Sequence, residues 1–204
     1  MKIQTAEFVT SVGPTGPLPA GNLPQVALVG RSNVGKSTLI NGLTQRTVAR
    51  AGAAPGTTRL LNIYRVELAR RRGKLLLIDL PGYGYARGPD ATKVFDRLTR
   101  RYFMPHAAAG PNSQEGTGPA CAVLLVDGRH PGLANDCDAL TWLCDLELPL
   151  LVAATKMDRM KPSERTRALR QHEAALGQTV LPTSGKNGDG LNALWKALLD
   201  LTGL

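Results

Sequence analysis

The sequence predicts a three-layer α/β fold, with helices on both faces of a mostly parallel sheet. Three observations carry this expectation. Short apolar runs at 25–29, 74–80, 121–127 and 149–155 alternate with segments of helical periodicity. The runs lack the in–out alternation of half-exposed strands, which fits strands covered on both sides. Each candidate motif follows one of these runs or a shorter last one at Val180-Leu181, where ligands bind in open α/β sheets.

With 204 residues and 43% hydrophobic content, the chain can bury one sizeable core and is small for two. Its predicted organisation is an arm over residues 1–24 and a single domain over residues 25–204. The arm has a short apolar element, Thr5-Ala6-Glu7-Phe8-Val9. Pro14, Pro17, Pro19 and Pro24, with Gly13, Gly16 and Gly21, then predict an irregular path. After the first run comes a Gly-rich loop and a helix to about Thr44. Residues 45–59 are polar and aperiodic, as in a functional loop. Leu60 to Leu68 partly alternates and reads as a strand, turning at 69–73 into the run at 74–80. Residues 90–104 read as an amphipathic helix. Residues 109–119 read as an exposed loop. Helices are predicted over 135–144, 162–176 and 190–199, with Leu191, Leu194, Trp195 and Leu198 on one core-facing stripe.

The three cysteines are odd in number and form no C-x-x-C, so neither a disulfide framework nor a zinc cluster is expected. The first residues lack an apolar signal core, and no run of eighteen apolar residues exists. A cytoplasmic protein with no stable membrane association is predicted. With no coiled coil or large apolar surface evident, a monomer is predicted too. The formal charge of +9 is unevenly spread: residues 1–101 carry sixteen Lys or Arg against five Asp or Glu, and residues 102–204 nine against eleven. Clusters at Arg70-Arg71-Arg72 with Lys74, and at Arg97, Arg100 and Arg101, fit either a nucleic-acid surface or a solvated basic face.

Gly30-Arg31-Ser32-Asn33-Val34-Gly35-Lys36-Ser37-Thr38 matches the phosphate-loop pattern in its required strand–loop–helix context. Its backbone N–H groups would surround phosphate oxygens. Lys36 would reach the β and γ phosphates, and Ser37 would place its hydroxyl on Mg²⁺. Asp79-Leu80-Pro81-Gly82 ends a buried strand, where a P-loop enzyme needs a carboxylate near the metal; Asp79 would act through coordinated water, and the Gly82 N–H would contact the γ-phosphate. Alone, Asp-x-Pro-Gly is an ordinary strand end; behind a phosphate loop it becomes a switch. In Thr155-Lys156-Met157-Asp158, the Asp158 carboxylate suits the paired N1–H and 2-amino donors of guanine, and the Lys156 stem suits the flat ring. Adenine has no such donor pair, which opposes an ATPase or small-molecule kinase. Thr183-Ser184-Gly185-Lys186 would offer backbone N–H groups to guanine O6. Thr57 and Thr58 both lie where a hydroxyl could complete Mg²⁺ coordination, and spacing does not choose between them.

These motifs resemble the TRAFAC class of GTPases with a Ras-like P-loop fold. That implies a six-stranded, mostly parallel sheet with one antiparallel edge strand. More closely, the chain resembles the EngB family (also called YihA or YsxC) of bacterial GTPases. The resemblance runs from Ala6-Glu7-Phe8-Val9 through the phosphate loop, Pro55-Gly56-Thr57-Thr58, Asp79-Leu80-Pro81-Gly82-Tyr83-Gly84-Tyr85-Ala86 and Asp127-Gly128-Arg129-His130-Pro131 to Thr155-Lys156-Met157-Asp158. It implies that Thr58 is the switch-I magnesium ligand and that Gly56, Thr57, Thr58, Arg59 and Leu60 line the nucleotide. It implies Mg²⁺·GTP hydrolysed to GDP, and binding to the large ribosomal subunit precursor, its rRNA and its proteins. It also implies a link to cell division and septation. Asn33 is by the same resemblance a candidate K⁺ ligand beside the phosphates. The catalytic set is thus Lys36, Asn33, Thr58, Asp79 and Gly82.

Tyr83 stands where some GTPases have a water-orienting glutamine, so slow intrinsic turnover is expected. Arg129 and His130 are expected to support structure or a switch, and His106 and His172 to be ordinary surface or helix residues. Gly128 stands where the family often has serine, a departure expected to be mild. Arg59 replaces a common glutamine. The alternatives are a GTP-regulated ribosome-binding module with negligible hydrolysis when isolated, and a division-associated scaffold.

Overall fold

The structure is a computed structural model describing residues 1–19, 21–50, 60–69, 73–83, 97–104 and 118–204. The strands are β1 (Ile3–Val12), β2 (Gln25–Gly30), β3 (Leu61–Leu68), β4 (Lys74–Asp79), β5 (Cys121–Asp127), β6 (Leu150–Thr155) and β7 (Val180–Pro182). The helices are α1 (Lys36–Thr44), α2 (Ala134–Cys144), α3 (Pro162–Leu176) and α4 (Leu191–Thr202), with a further helical stretch at 97–103.

All seven strands form one sheet in the order β1-β3-β4-β2-β5-β6-β7. The central strands β2, β4, β5, β6 and β7 pair in parallel, while β3 runs antiparallel to both β4 and β1. The three-layer class therefore holds, but the sheet has seven strands rather than six. Its antiparallel strand lies one place in from the edge. The reason is residues 3–12 of the arm, where the predicted short element is a full ten-residue strand on β3. Cross-strand pairs hold it there: Glu7 with Arg65, Ser11 with Asn62 at 2.7 Å, and Phe8 edge-on to Tyr64 at 5.7 Å. Register shifts at Ile3/Thr5 and Phe8/Thr10 break its period-2 pattern, which is why it reads as a short strand in sequence.

Each sheet face carries its own core. On one side Val26, Leu28, Leu75 and Leu77 pack with Leu39, Ile40 and Leu43 of α1 and Leu194, Trp195 and Leu198 of α4. On the other, Ala27, Val29, Ile78 and Leu124 meet Leu98, Tyr102 and Phe103, Leu140 and Leu143 of α2, and Leu176 of α3. The uninterrupted burial of β2 and β5 follows from cover on both faces. Because the parallel strands all point one way, β2, β4, β5, β6 and β7 deliver their following loops to the same end.

Candidate nucleotide site

At that end Gly30 closes β2 and Lys36 opens α1, with Asn33 and Gly35 at positive φ between them. The helix has no side-chain cap and no acid in its first turn. Its leading N–H groups are therefore left for an anion. Lys36 folds back, donating to the Gly30 carbonyl at 3.3 Å, with its ammonium 4.0 Å from Asp79 Oδ1. Burial pushes the Lys36 pKa down, opposed by Asp79; burial pushes Asp79 up, opposed by Lys36 and the Asn62 amide. The buried Asp79 Oδ1 has no hydrogen-bond partner. A buried carboxylate with an unused oxygen, in a site that also has Ser37 in the first turn of α1, is a donor set that fits Mg²⁺ with phosphates.

The chain leaving β4 is fastened to the phosphate loop. Ser32 donates its N–H to the Tyr83 carbonyl at 3.1 Å and its hydroxyl to the Gly82 carbonyl at 3.3 Å. Leu80 and Pro81 are buried beneath. The Tyr83 hydroxyl donates to Asp136 Oδ1 on α2 at 2.8 Å. Burial, then the Asp136 carboxylate, raises the Tyr83 pKa. Burial raises that of Asp136, opposed by its Tyr83 hydrogen bond. Asp136 has no sequence signal: it is one of two carboxylates on α2, and nothing in the pattern separates it from Asp138.

The base-recognition candidates converge on the same loop from the other side. Thr155 Oγ1 donates to the Val34 carbonyl at 2.6 Å, and the Lys156 ammonium to the Asn33 carbonyl at 2.5 Å. Ser184 Oγ donates to Asp158 Oδ1 at 2.6 Å, and itself accepts from the N–H groups of Lys186 and Asn187. Thr183 is anchored on the Ala154 carbonyl, and Met157 is buried. A Cβ on Gly185 would fall 2.4 Å from the Thr38 carbonyl oxygen. Only glycine lets the 183–186 loop lie directly on α1. The structure thus brings together residues 30–38, 79–82, 155–158 and 183–186. Leu60 is exposed beside β3, while Gly56, Thr57, Thr58 and Arg59 lie outside the described residues, as do Arg70 to Arg72, His106 and residues 109–117.

Asp127, in sequence only one member of a motif, lies between Lys156 and Arg129. Its carboxylate accepts from Lys156 Nζ at 2.8 Å and from Arg129 Nε and Nη2 at 2.9 and 2.7 Å. Burial alone would raise its pKa, but the bonds from Arg129 and Lys156 hold it well below the usual carboxylate range. His172 is not a surface residue: it is 1% exposed, with Nε2 3.2 Å from the Asp127 carbonyl oxygen. Gly128 is tightly confined. A Cβ there would meet Met157 Sδ at 2.5 Å and the Thr155 carbonyl at 2.9 Å, so a serine would require the Met157 side chain and the Thr155 carbonyl to shift.

Residues 25–156 match the family described as 50S ribosome-binding GTPase. The chain is 41% identical over 181 residues to a probable GTP-binding protein EngB of Pelotomaculum thermopropionicum, covering 88% of this chain and 84% of that one. It is 35% identical over 199 residues to the Thermotoga petrophila protein of the same name, covering 95% and 94%. A crystal structure of a probable GTP-binding protein engB aligns with a TM-score of 0.63 at 25% identity, over 88% of this chain and 98% of that one. Era in complex with MgGDPNP and nucleotides 1506–1542 of 16S ribosomal RNA aligns with a TM-score of 0.68 at 22% identity, over 88% and 56%, a likeness of fold. Kinship that runs through nearly the whole length of both chains, over a sheet whose loops meet at one end, makes this chain a member of the EngB family of GTP-binding proteins.

Proposed function

We propose that the protein binds GTP and GDP, hydrolyses the β–γ bond slowly, and uses that cycle as a switch in assembly of the large ribosomal subunit. In this reading the protein is also needed for normal cell division and septation. The observation that carries the nucleotide reading is the junction of two loops: Lys156 of the 155–158 segment reaches the Asn33 carbonyl of the phosphate loop, while Ser184 orients Asp158. One end of that junction suits phosphates and the other a guanine edge.

In this scheme Lys36 and phosphate-loop N–H groups not already bonded within the protein stabilise charge on the transferred phosphoryl oxygens. Ser37 and Thr58, with Asp79 through water, would hold Mg²⁺, which supplies charge neutralisation when bound. The exposed Asn33 would take K⁺. The Gly82 N–H would contact the γ-phosphate, and Gly56 to Leu60 would line the nucleotide. Tyr83 spends its hydroxyl on Asp136 and offers no amide to orient water. That favours slow turnover in isolation and stimulation by a partner, or, as a second reading, a ribosome-binding module whose isolated hydrolysis is negligible. The family description and the basic excess of residues 1–101 support the ribosomal partner.

Two experiments test this. Asp158→Asn should weaken GDP binding by roughly a hundredfold and favour xanthine nucleotides, because a lost hydrogen-bond pair leaves buried groups unmatched; unchanged guanine selectivity in competition titrations refutes the base assignment. GTP-dependent co-sedimentation with large-subunit precursors supports the assembly switch, and its absence at low salt sinks it.

A further inference from the structure

We propose that Asp127 and Arg129 are positioning residues for Lys156, and that this brace sets how slowly guanine nucleotide leaves the site. The inference rests on the guanine reading above. Lys156 has a left-handed backbone (φ 59) and carries its ammonium across to the Asn33 carbonyl at 2.5 Å. An ammonium on a four-carbon stem has much rotamer freedom to lose. Asp127 Oδ2 removes that freedom by accepting from Nζ at 2.8 Å, so the tip is held by one oxygen from the 127 turn and one from the phosphate loop.

Asp127 is itself fixed. Arg129 approaches Oδ1 through its main-chain N–H at 3.2 Å and Nε at 2.9 Å, and Oδ2 through Nη2 at 2.7 Å. The planar guanidinium makes this a two-point grip that a lysine would not reproduce. His130 Nδ1 stands 3.7 Å from Oδ1, and buried His172 meets the Asp127 carbonyl oxygen. Gly128 N–H donates to the Thr155 carbonyl at 3.0 Å, tying the turn to the base loop. With this brace intact, the Lys156 stem is ordered before a base arrives, and little ordering cost is left for binding. Loosening it shifts that cost onto the bound state, which appears mainly as faster dissociation.

The test loads the full chain with N-methylanthraniloyl-GDP and chases it with unlabelled GDP, well below the unfolding temperature. Arg129→Ala should release the label about fivefold faster. Arg129→Lys, which keeps charge without the fork, should fall between it and the unaltered protein. Asp127→Asn should release it more than about tenfold faster. Lys196→Ala removes only the exposed pair with Asp200 on α4 and should change nothing. A purely stabilising role for Arg129 predicts a lowered unfolding midpoint with release at the original rate, and that result overturns the brace. If the unaltered protein retains no labelled GDP while folded, the guanine reading falls and the brace with it; if it retains the label and only the Arg129 variants behave normally, the brace alone falls.

Discussion

A Cβ on Gly82 would sit 2.6 Å from the Ser32 nitrogen and 2.7 Å from its Cα, both backbone atoms that cannot swing aside. Gly82→Ala must therefore push the 80–83 segment off the phosphate loop. We expect it to cost about 1–3 kcal/mol of stability and to abolish any preference for GTP over GDP; comparison of the two affinities by titration checks this. His172 gives a pH signature. Burial lowers its pKa below the ordinary 6.5, with hydrogen bonding to the Asp127 and Gly128 backbone opposing. As pH falls through that value the unfolded chain takes up a proton and the folded chain does not, so stability is lost progressively below it. Unfolding midpoints from neutral to mildly acidic pH should fall less steeply in His172→Gln than in the unaltered protein. Lys36, Asp79, Asp158 and Ser184 are legible because their chemistry demands a fixed place after a strand. Asp136 and the burial of His172 are not, since both follow from which helix face meets which loop.

Trp195 fastens two elements at once: it packs between the α1 and α4 stripes and donates Nε1–H to the Leu43 carbonyl at 3.0 Å. That carbonyl lies in the last turn of α1, where the helix leaves oxygens without internal partners. Trp195→Phe should cost about 1–3 kcal/mol through the orphaned oxygen, and Trp195→Ala about 3–5 kcal/mol through the cavity. Urea titrations separate the two. The stripe that places Trp195 was readable from its helical spacing, as were the fully buried strands. The first strand looks short in sequence because two register shifts interrupt its alternation and prolines follow closely. Its fastening is also remote in sequence: Arg101 donates to the Pro14 and Gly16 carbonyls, so the chain after β1 is held by residues far downstream.

For the whole molecule, the nucleotide is expected to act as a stabilising ligand. At a hundredfold excess over its Kd, Mg²⁺·GDP should add about 2.7 kcal/mol and raise the unfolding midpoint by roughly 5–10 °C for a domain of this size. ADP should not, and a chelator should reduce the gain; differential scanning fluorimetry checks all three. No helix among the described residues is long and apolar enough to cross a membrane.

The sheet order has a consequence for synthesis. β2 and its phosphate loop are made early, yet β2 pairs with residues 121–125 on one side, and β6 and β7 follow beyond. Asp158 meets its orienting Ser184 only when the chain has grown past β7. A ribosome making this protein thus releases residues 30–38 long before residues 155–158 and 183–186. If Asp158 selects guanine as proposed, that selection is expected to mature only in the nearly finished chain, once Ser184 can orient its carboxylate.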